Sequence, residues 1–90
     1  MPIISQFFGI AIYIFWREHE PAHFHARYGD EEVIVEIETW RVVGTMSRRA
    51  LALVEEWREA HQDELRKEWA LAKAQKQMFP IKPLVNKYVI

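Results

Sequence analysis

Three histidines lie close together in the chain, at positions 19, 23 and 25. Residues 23–28 alternate between polar and apolar side chains, which predicts a β-strand with His23 and His25 on the same face. Imidazole nitrogens bind zinc, copper, nickel or ferrous iron, so His19 in the preceding loop would complete a set of three ligands. An opposing carboxylate such as Glu36 would serve as a fourth ligand or orient one of the rings. The spacing therefore predicts a candidate site for a divalent transition metal, zinc or nickel.

The same strand also supports a reaction that needs no metal. His23, His25 and Arg27 share one face, and two imidazoles with one arginine suffice for phosphodiester cleavage by general acid and base. These three are therefore candidate catalytic residues of a metal-free nuclease. A third interpretation is a solvated sheet face on which histidines pair with glutamates across strands, at about 0.2–1 kcal/mol per pair. The spacing alone leaves all three interpretations open.

A second candidate site lies at the start of a predicted helix. Ser47 is a favourable N-cap residue, and Arg48 and Arg49 follow it, where the helix macrodipole disfavours positive charge. Both guanidinium groups, together with free backbone N–H groups, would hold a phosphate or a partner's carboxylate. The alternative is two exposed arginines that offset the acidic sheet face.

Four tryptophans raise the question of a stacking surface for nucleic-acid bases. Trp57 and Trp69 lie at core positions of the helical pattern, and Trp16 ends an apolar strand. Only Trp40, near a turn, is expected to be exposed. Nucleic-acid binding is therefore weakly supported.

The composition narrows the classes of function. A chain of 90 residues predicts one domain, residues 1–90, and a net charge of -1 provides no general attraction to nucleic acid or anionic membranes. The chain has no cysteine, which excludes disulfides, thiolate metal sites and a cysteine nucleophile, and fits a cytoplasmic protein. The most apolar stretch, residues 7–16, has about half the length of a membrane span.

The elements that position these residues predict an α+β fold. We expect about four mainly antiparallel strands within residues 7–46, a helical segment over about 48–75 packed on one sheet face, and a strand-like tail over 84–90. The apolar stretch over 7–16 is the predicted central strand. A hairpin follows that closes either on Gly29-Asp30 or on a four-residue loop. In both registers the core face is the same, and the helical stripe around Trp57 covers it; this face comprises Phe24, Ala26, Tyr28, Val33, Val35 and Ile37. The other face, with the histidines, is expected to stay partly open.

The helical segment has two apolar stripes. His61 lies on the stripe of Trp57 and is expected to be a hydrogen-bonded core residue. The second stripe, formed by Leu65, Trp69 and Ala72, is rotated by roughly 60° at 100° per residue, which predicts a kink near residues 61–63. We expect this second stripe to be uncovered and, with the tail, to form the interface of a homodimer.

Several motifs along the chain are those of a small bacterial family. The most specific is Pro21-x-His23-Phe24-His25-Ala26-x-Tyr28, and the others are Phe7-Phe8-Gly9-Ile10, Glu56-Trp57-x-x-x-His61 and Glu64-Leu65-x-x-x-Trp69. The chain resembles the domain of unknown function 4160 from residue 2 to about residue 84. It departs from the usual pattern at Thr39-Trp40, where a glycine-containing turn is more common, and in the tail.

The resemblance implies an interaction partner. It assigns no catalytic residue, because the family has no assigned activity. Its members are often encoded beside another small protein, which implies a small protein partner and a toxin–antitoxin-like pair. We therefore expect a cytoplasmic interaction module, one half of such a pair. The alternative is a small His-dependent enzyme, either a metal-bound hydrolase or a metal-free nuclease.

Overall fold

The protein folds into one antiparallel sheet followed by two helices, as seen in a computed structural model that describes residues 3–85. Strands that are consecutive in sequence are neighbours in the sheet, in the order β1-β2-β3-β4-β5. This arrangement confirms the α+β fold, with five strands where about four were predicted. The elements are β1 (Ile3–Phe7), β2 (Ile10–Tyr13), β3 (His23–Tyr28), β4 (Glu31–Glu36), β5 (Val42–Gly44), α1 (Arg48–Ala60) and α2 (Gln62–Lys73).

The additional strand arises because the apolar stretch over 7–16 is not one strand. Phe8 and Gly9 have φ angles of 47° and 82° and reverse the chain, so that Phe7 lies opposite Ile10. Two consecutive positive φ angles are typical of the two-residue turn that best fits the twist of a hairpin. The stretch predicted as one central strand therefore consists of the end of β1, a two-residue turn and β2.

The hairpin of β3 and β4 uses the shorter of the two predicted loops. Tyr28 lies opposite Glu31, and Gly29 has the positive φ of 61° that the first turn position requires. This register places His23 opposite Glu36 and His25 opposite Ile34.

The core lies between the inner sheet face and the helices, as predicted. The Trp57 side chain is fully buried, and its ring centroid lies 5.5 Å from that of Phe7 and 5.7 Å from that of Phe24. Tyr28 is an exception to the predicted core face, because it lies beside the turn and is 40% exposed. The other five predicted residues of that face are buried: Phe24, Ala26, Val33, Val35 and Ile37.

The helical segment is broken where the kink was predicted. α1 ends at Ala60 and α2 begins at Gln62, with His61 between them. The predicted cap is also present, since Ser47 Oγ accepts a hydrogen bond of 3.3 Å from the N–H of Ala50.

The second apolar stripe is not an uncovered surface, and this prediction is wrong. Leu65, Trp69 and Ala72 are all buried in the same core cluster as Trp57. The break at His61 redirects α2, so that both stripes face the core. The homodimer stays a prediction, but Trp69 no longer supplies its interface.

The predicted tail over 84–90 lies largely outside the described residues. Within them, Leu84 and Val85 belong to no strand. The chain before them follows β1, because the N–H of Ile81 donates a 2.7 Å hydrogen bond to the carbonyl of Ile4. No helix within residues 3–85 combines the length and apolarity needed to cross a bilayer.

The exposed tryptophan is Trp16 rather than Trp40, contrary to the prediction. Trp16 is 55% exposed. Trp40 packs against the core, and the guanidinium carbon of Arg58 lies 5.7 Å from the centroid of its ring.

Candidate metal centre

The candidate site combines one strand with the loop that precedes it. His23 and His25 lie on the outer face of β3, and the loop over residues 14–22 brings Glu18 into contact with both rings. Nε2 of His25 lies 2.6 Å from Glu18 Oε1, and Nε2 of His23 lies 3.3 Å from Glu18 Oε2. One ligand atom from each of the three residues lies within 4.8 Å of the other two. These groups are near enough to hold one metal ion between them.

The second ring nitrogen of His23 has a different partner. Nδ1 lies 2.9 Å from the carbonyl oxygen of Pro21, to which it donates a hydrogen bond. A ring with its proton on Nδ1 presents the lone pair of Nε2, the nitrogen that faces Glu18. This hydrogen bond therefore orients His23 as a metal ligand is usually oriented.

Aromatic side chains enclose the two rings. Tyr13 stacks on His25 with ring centroids 5.3 Å apart and an interplanar angle of 7°, and Phe15 meets the same ring edge-on at 4.6 Å. Trp69 of α2 packs against His23 at 5.1 Å. Only 8% of the His25 side chain and 12% of the His23 side chain are exposed, against 25% of Glu18. The predicted open face is therefore covered at the histidines, and solvent reaches the site mainly beside Glu18.

The loop that carries Glu18 is attached to α2. Glu20 Oε2 accepts a 2.6 Å hydrogen bond from Lys73 Nζ and a 3.3 Å hydrogen bond from Trp69 Nε1. Both hydrogen bonds lower the pKa of the Glu20 carboxyl below its usual value, and the bond from Lys73 has the larger effect. The following peptide, Glu20–Pro21, is cis. The helix thus contributes to the position of Glu18 although it supplies no ligand.

Glu32 lies near Nδ1 of His25, the ring nitrogen that does not face Glu18, and Tyr13 stacks on the face of the same ring. Burial is the main cause that raises the pKa of the Tyr13 hydroxyl, and a hydrogen bond to Glu32 raises it further. Glu32 Oε2 lies 3.5 Å from His25 Nδ1. His25 is therefore flanked by a carboxylate at each ring nitrogen.

The structure brings together two of the four predicted metal ligands. His19 is exposed and does not belong to the group of three. Glu36 lies opposite His23 in the sheet, but its carboxylate accepts a 2.7 Å hydrogen bond from Thr39 Oγ1 and does not reach the group. Sequence reasoning missed Glu18, whose only signal was its place in the charged loop before β3.

The other predicted site residues lie apart from this group. Arg27 is exposed on the outer face, with Nε 3.6 Å from Glu32 Oε1. Arg48 and Arg49 are exposed at the start of α1 and form no ion pair within residues 3–85. The carboxylate of Glu31 already accepts a hydrogen bond from the Ser47 N–H at this helix start. An anion site at the two arginines stays a prediction.

One family model matches the chain, and it includes the whole candidate site. The model described as Domain of unknown function (DUF4160) matches residues 9–70, a narrower range than the resemblance in the sequence suggested. No curated protein and no solved structure is significantly similar to the chain. Because the matched range is more than half of the 90 residues, the chain belongs to the domain of unknown function 4160 family.

Proposed function

We propose that the protein binds one divalent transition-metal ion through Glu18, His23 and His25. The convergence of three ligand atoms within 4.8 Å carries this proposal. A histidine–carboxylate pair is common on protein surfaces, but here two imidazoles face the two oxygens of one carboxylate. The outward hydrogen bond of His23 to a backbone carbonyl also favours a metal site over a solvated sheet face.

The donor set favours zinc or nickel and a catalytic type of site. Two imidazole nitrogens and one carboxylate oxygen suit borderline divalent ions, and zinc enzymes use two histidines and one glutamate in this way. Three protein ligands leave a position for water or substrate, and solvent reaches the site beside Glu18. A metal ion with an open position lowers the pKa of bound water, so the chemistry that the site would supply is hydrolysis.

The first prediction concerns the stoichiometry of metal binding. Calorimetric titration of the protein with zinc or nickel is expected to saturate at about one equivalent. Metal present at about 100 times its Kd is expected to stabilise the fold by about 2.7 kcal/mol, seen as a higher Tm. Nickel is also expected to quench part of the tryptophan fluorescence, since Trp69 contacts His23.

The control for this titration is the third histidine of the sequence cluster. His19→Ala is expected to bind metal as the unchanged protein does, because His19 lies outside the group. A zinc or nickel titration that does not saturate would contradict the proposed site. Loss of metal binding in His19→Ala would contradict it as well.

We further propose that the outer sheet face near β5 binds a small protein partner, in a pair of toxin–antitoxin type. Ile34 and Val43 are neighbours on this face, and they are 37% and 55% exposed. Val43 belongs to the edge strand β5, whose outer backbone groups are available to an added strand. An apolar pair beside an open strand edge is typical of a docking surface.

The second prediction tests this face with two matched substitutions. The small protein that the family resemblance implies is co-expressed with the chain. Val43→Lys is expected to prevent its co-purification, because the substitution places a charge in the apolar pair. Phe79→Lys serves as the control, since Phe79 is also exposed and lies outside both the sheet and the predicted tail. Co-purification of the small protein with Val43→Lys at the same level as with the control variant would contradict docking at this face.

A further inference from the structure

His25 has one ring nitrogen without a hydrogen bond. Only 6% of the residue is exposed, and Nδ1 is buried with no hydrogen-bond partner among the described residues. The stacked ring of Tyr13 and the edge-on ring of Phe15 prevent the imidazole from turning towards water. A buried polar atom without a partner is costly and calls for a physical explanation.

The group nearest to this nitrogen is a second carboxylate. Glu32 Oε2 lies 3.5 Å from His25 Nδ1, slightly beyond a good hydrogen bond. On the other side of the ring, Nε2 makes a close contact of 2.6 Å with Glu18 Oε1. When the ring donates its Nε2 proton to Glu18, Nδ1 presents a lone pair to the carboxylate of Glu32. In that tautomer two lone pairs face each other, and no hydrogen bond spans the 3.5 Å between them.

Metal binding at Nε2 would reverse this arrangement. The Nε2 proton would leave to solvent and Nδ1 would take a proton from solvent, so that the ring would remain neutral. Nδ1 would then be a donor that faces the carboxylate of Glu32, within reach of a hydrogen bond. His23 already has the corresponding outward hydrogen bond, from Nδ1 to the carbonyl of Pro21.

The sheet holds Glu32 in place for this role. Glu32 is paired with Arg27 in the β3–β4 register, and Arg27 Nε lies 3.6 Å from Glu32 Oε1. The Tyr13 hydroxyl is also a neighbour of Glu32, close enough for that carboxylate to raise the pKa of the hydroxyl. The carboxylate is thus positioned beside His25 by two neighbours that are not metal ligands.

We infer that Glu32 is a positioning residue of the metal centre, which accepts the Nδ1 proton of His25 when a metal ion occupies Nε2. This inference rests on the proposed metal site. Carboxylates that hydrogen-bond to a metal-binding histidine orient the ring and increase its basicity, and their loss typically lowers metal affinity by about 10–100-fold.

The third prediction compares two glutamates on the same strand face. Glu32→Gln is expected to weaken zinc binding by about 10–100-fold in competition with a chelator. Glu36→Gln removes the same charge four residues away, and it is expected to leave zinc affinity within a factor of about three, because Glu36 bonds to Thr39 instead. Comparing the two variants distinguishes a loss of His25 orientation from a loss of general electrostatic attraction for a cation.

Nitrogen-15 NMR of the imidazoles supplies a readout that a purely structural role would not change. In the zinc-loaded protein, a protected Nδ1–H signal of His25 is expected, and it is expected to shift upfield in Glu32→Gln. Glu32→Asp is expected to restore part of the affinity and part of the shift.

Equal zinc affinity of Glu32→Gln and Glu36→Gln, with the Nδ1–H signal unchanged, would overturn the inference while the metal site stands. Absence of zinc binding by the unchanged protein would overturn both.

Discussion

Replacing His25 by alanine is expected to lower the affinity for zinc by at least about 100-fold. Structural zinc sites with four ligands bind with about 10–16 kcal/mol, or roughly 3 kcal/mol per ligand, and each 1.4 kcal/mol is about a factor of ten. His25 also contacts Glu18 at 2.6 Å, so its loss removes one ligand and the neighbour that orients another. His23→Ala is expected to reduce affinity by a similar factor. Chelator competition measures both effects.

The control for these variants is another histidine with a carboxylate partner. His61 Nδ1 lies 2.6 Å from Glu64 Oε1, the same contact distance as in the pair of His25 and Glu18. No second histidine lies beside the pair of His61 and Glu64 among the described residues. His61→Ala is therefore expected to leave zinc affinity unchanged.

Because His25 is buried, its replacement also affects the fold. Glu18→Gln, at the more exposed ligand, preserves the shape of the side chain and is expected to lose zinc affinity with little change in the denaturation midpoint. Retention of full affinity in both Glu18→Gln and His23→Ala would contradict the assigned ligands.

Replacing Trp57 by alanine is expected to cost about 3–5 kcal/mol of the free energy of unfolding. The side chain is fully buried between α1 and the sheet, and its Nε1–H donates a 2.9 Å hydrogen bond to the carbonyl of Lys82. Proteins are stable by about 5–15 kcal/mol, and short chains bury a smaller share of their surface. The variant is therefore expected to be largely unfolded in urea concentrations that leave the unchanged protein native.

Two further tryptophan variants make this prediction specific. Trp57→Phe keeps much of the apolar volume but removes the donor to Lys82, and it is expected to cost less than the alanine variant. Trp16→Ala, at an exposed position, is expected to change stability by no more than about 0.5 kcal/mol. Equal denaturation midpoints for Trp57→Ala and Trp16→Ala would contradict the described core.

Local patterns in the sequence were sufficient to predict the strand that carries His23 and His25. The alternation over residues 23–28 predicted that His23 and His25 share a face, and the rotation between the stripes of Trp57 and Trp69 predicted the break at His61. Both features depend on the fixed periods of strands and helices. Neither requires knowledge of distant contacts.

The features that the sequence did not reveal depend on loop conformation and on distant contacts. Glu18 reaches the site because the loop over 14–22 turns at Arg17, which has a φ of 62°, and because Glu20 bonds to Lys73, 53 residues away. His19, one residue later, faces solvent. The first turn was missed for a similar reason, since an aromatic residue such as Phe8 seldom adopts a positive φ and gives no turn signal.

The arrangement of Trp69 also depended on the tertiary structure. Its stripe was expected to face solvent, because the direction of α2 after the break cannot be read from periodicity. In the structure α2 folds back towards the sheet, and Trp69 covers His23. The helix thus encloses the candidate metal centre that the strand and loop build.

Locating the metal ion directly tests the central claim, that Glu18, His23 and His25 form a metal centre. Crystals grown with one equivalent of zinc are expected to show a single strong anomalous peak at the zinc absorption edge. The peak is expected about 2.0–2.2 Å from Nε2 of His23, Nε2 of His25 and one carboxylate oxygen of Glu18. A peak elsewhere, such as between His61 and Glu64, with none among these three residues, would contradict the claim.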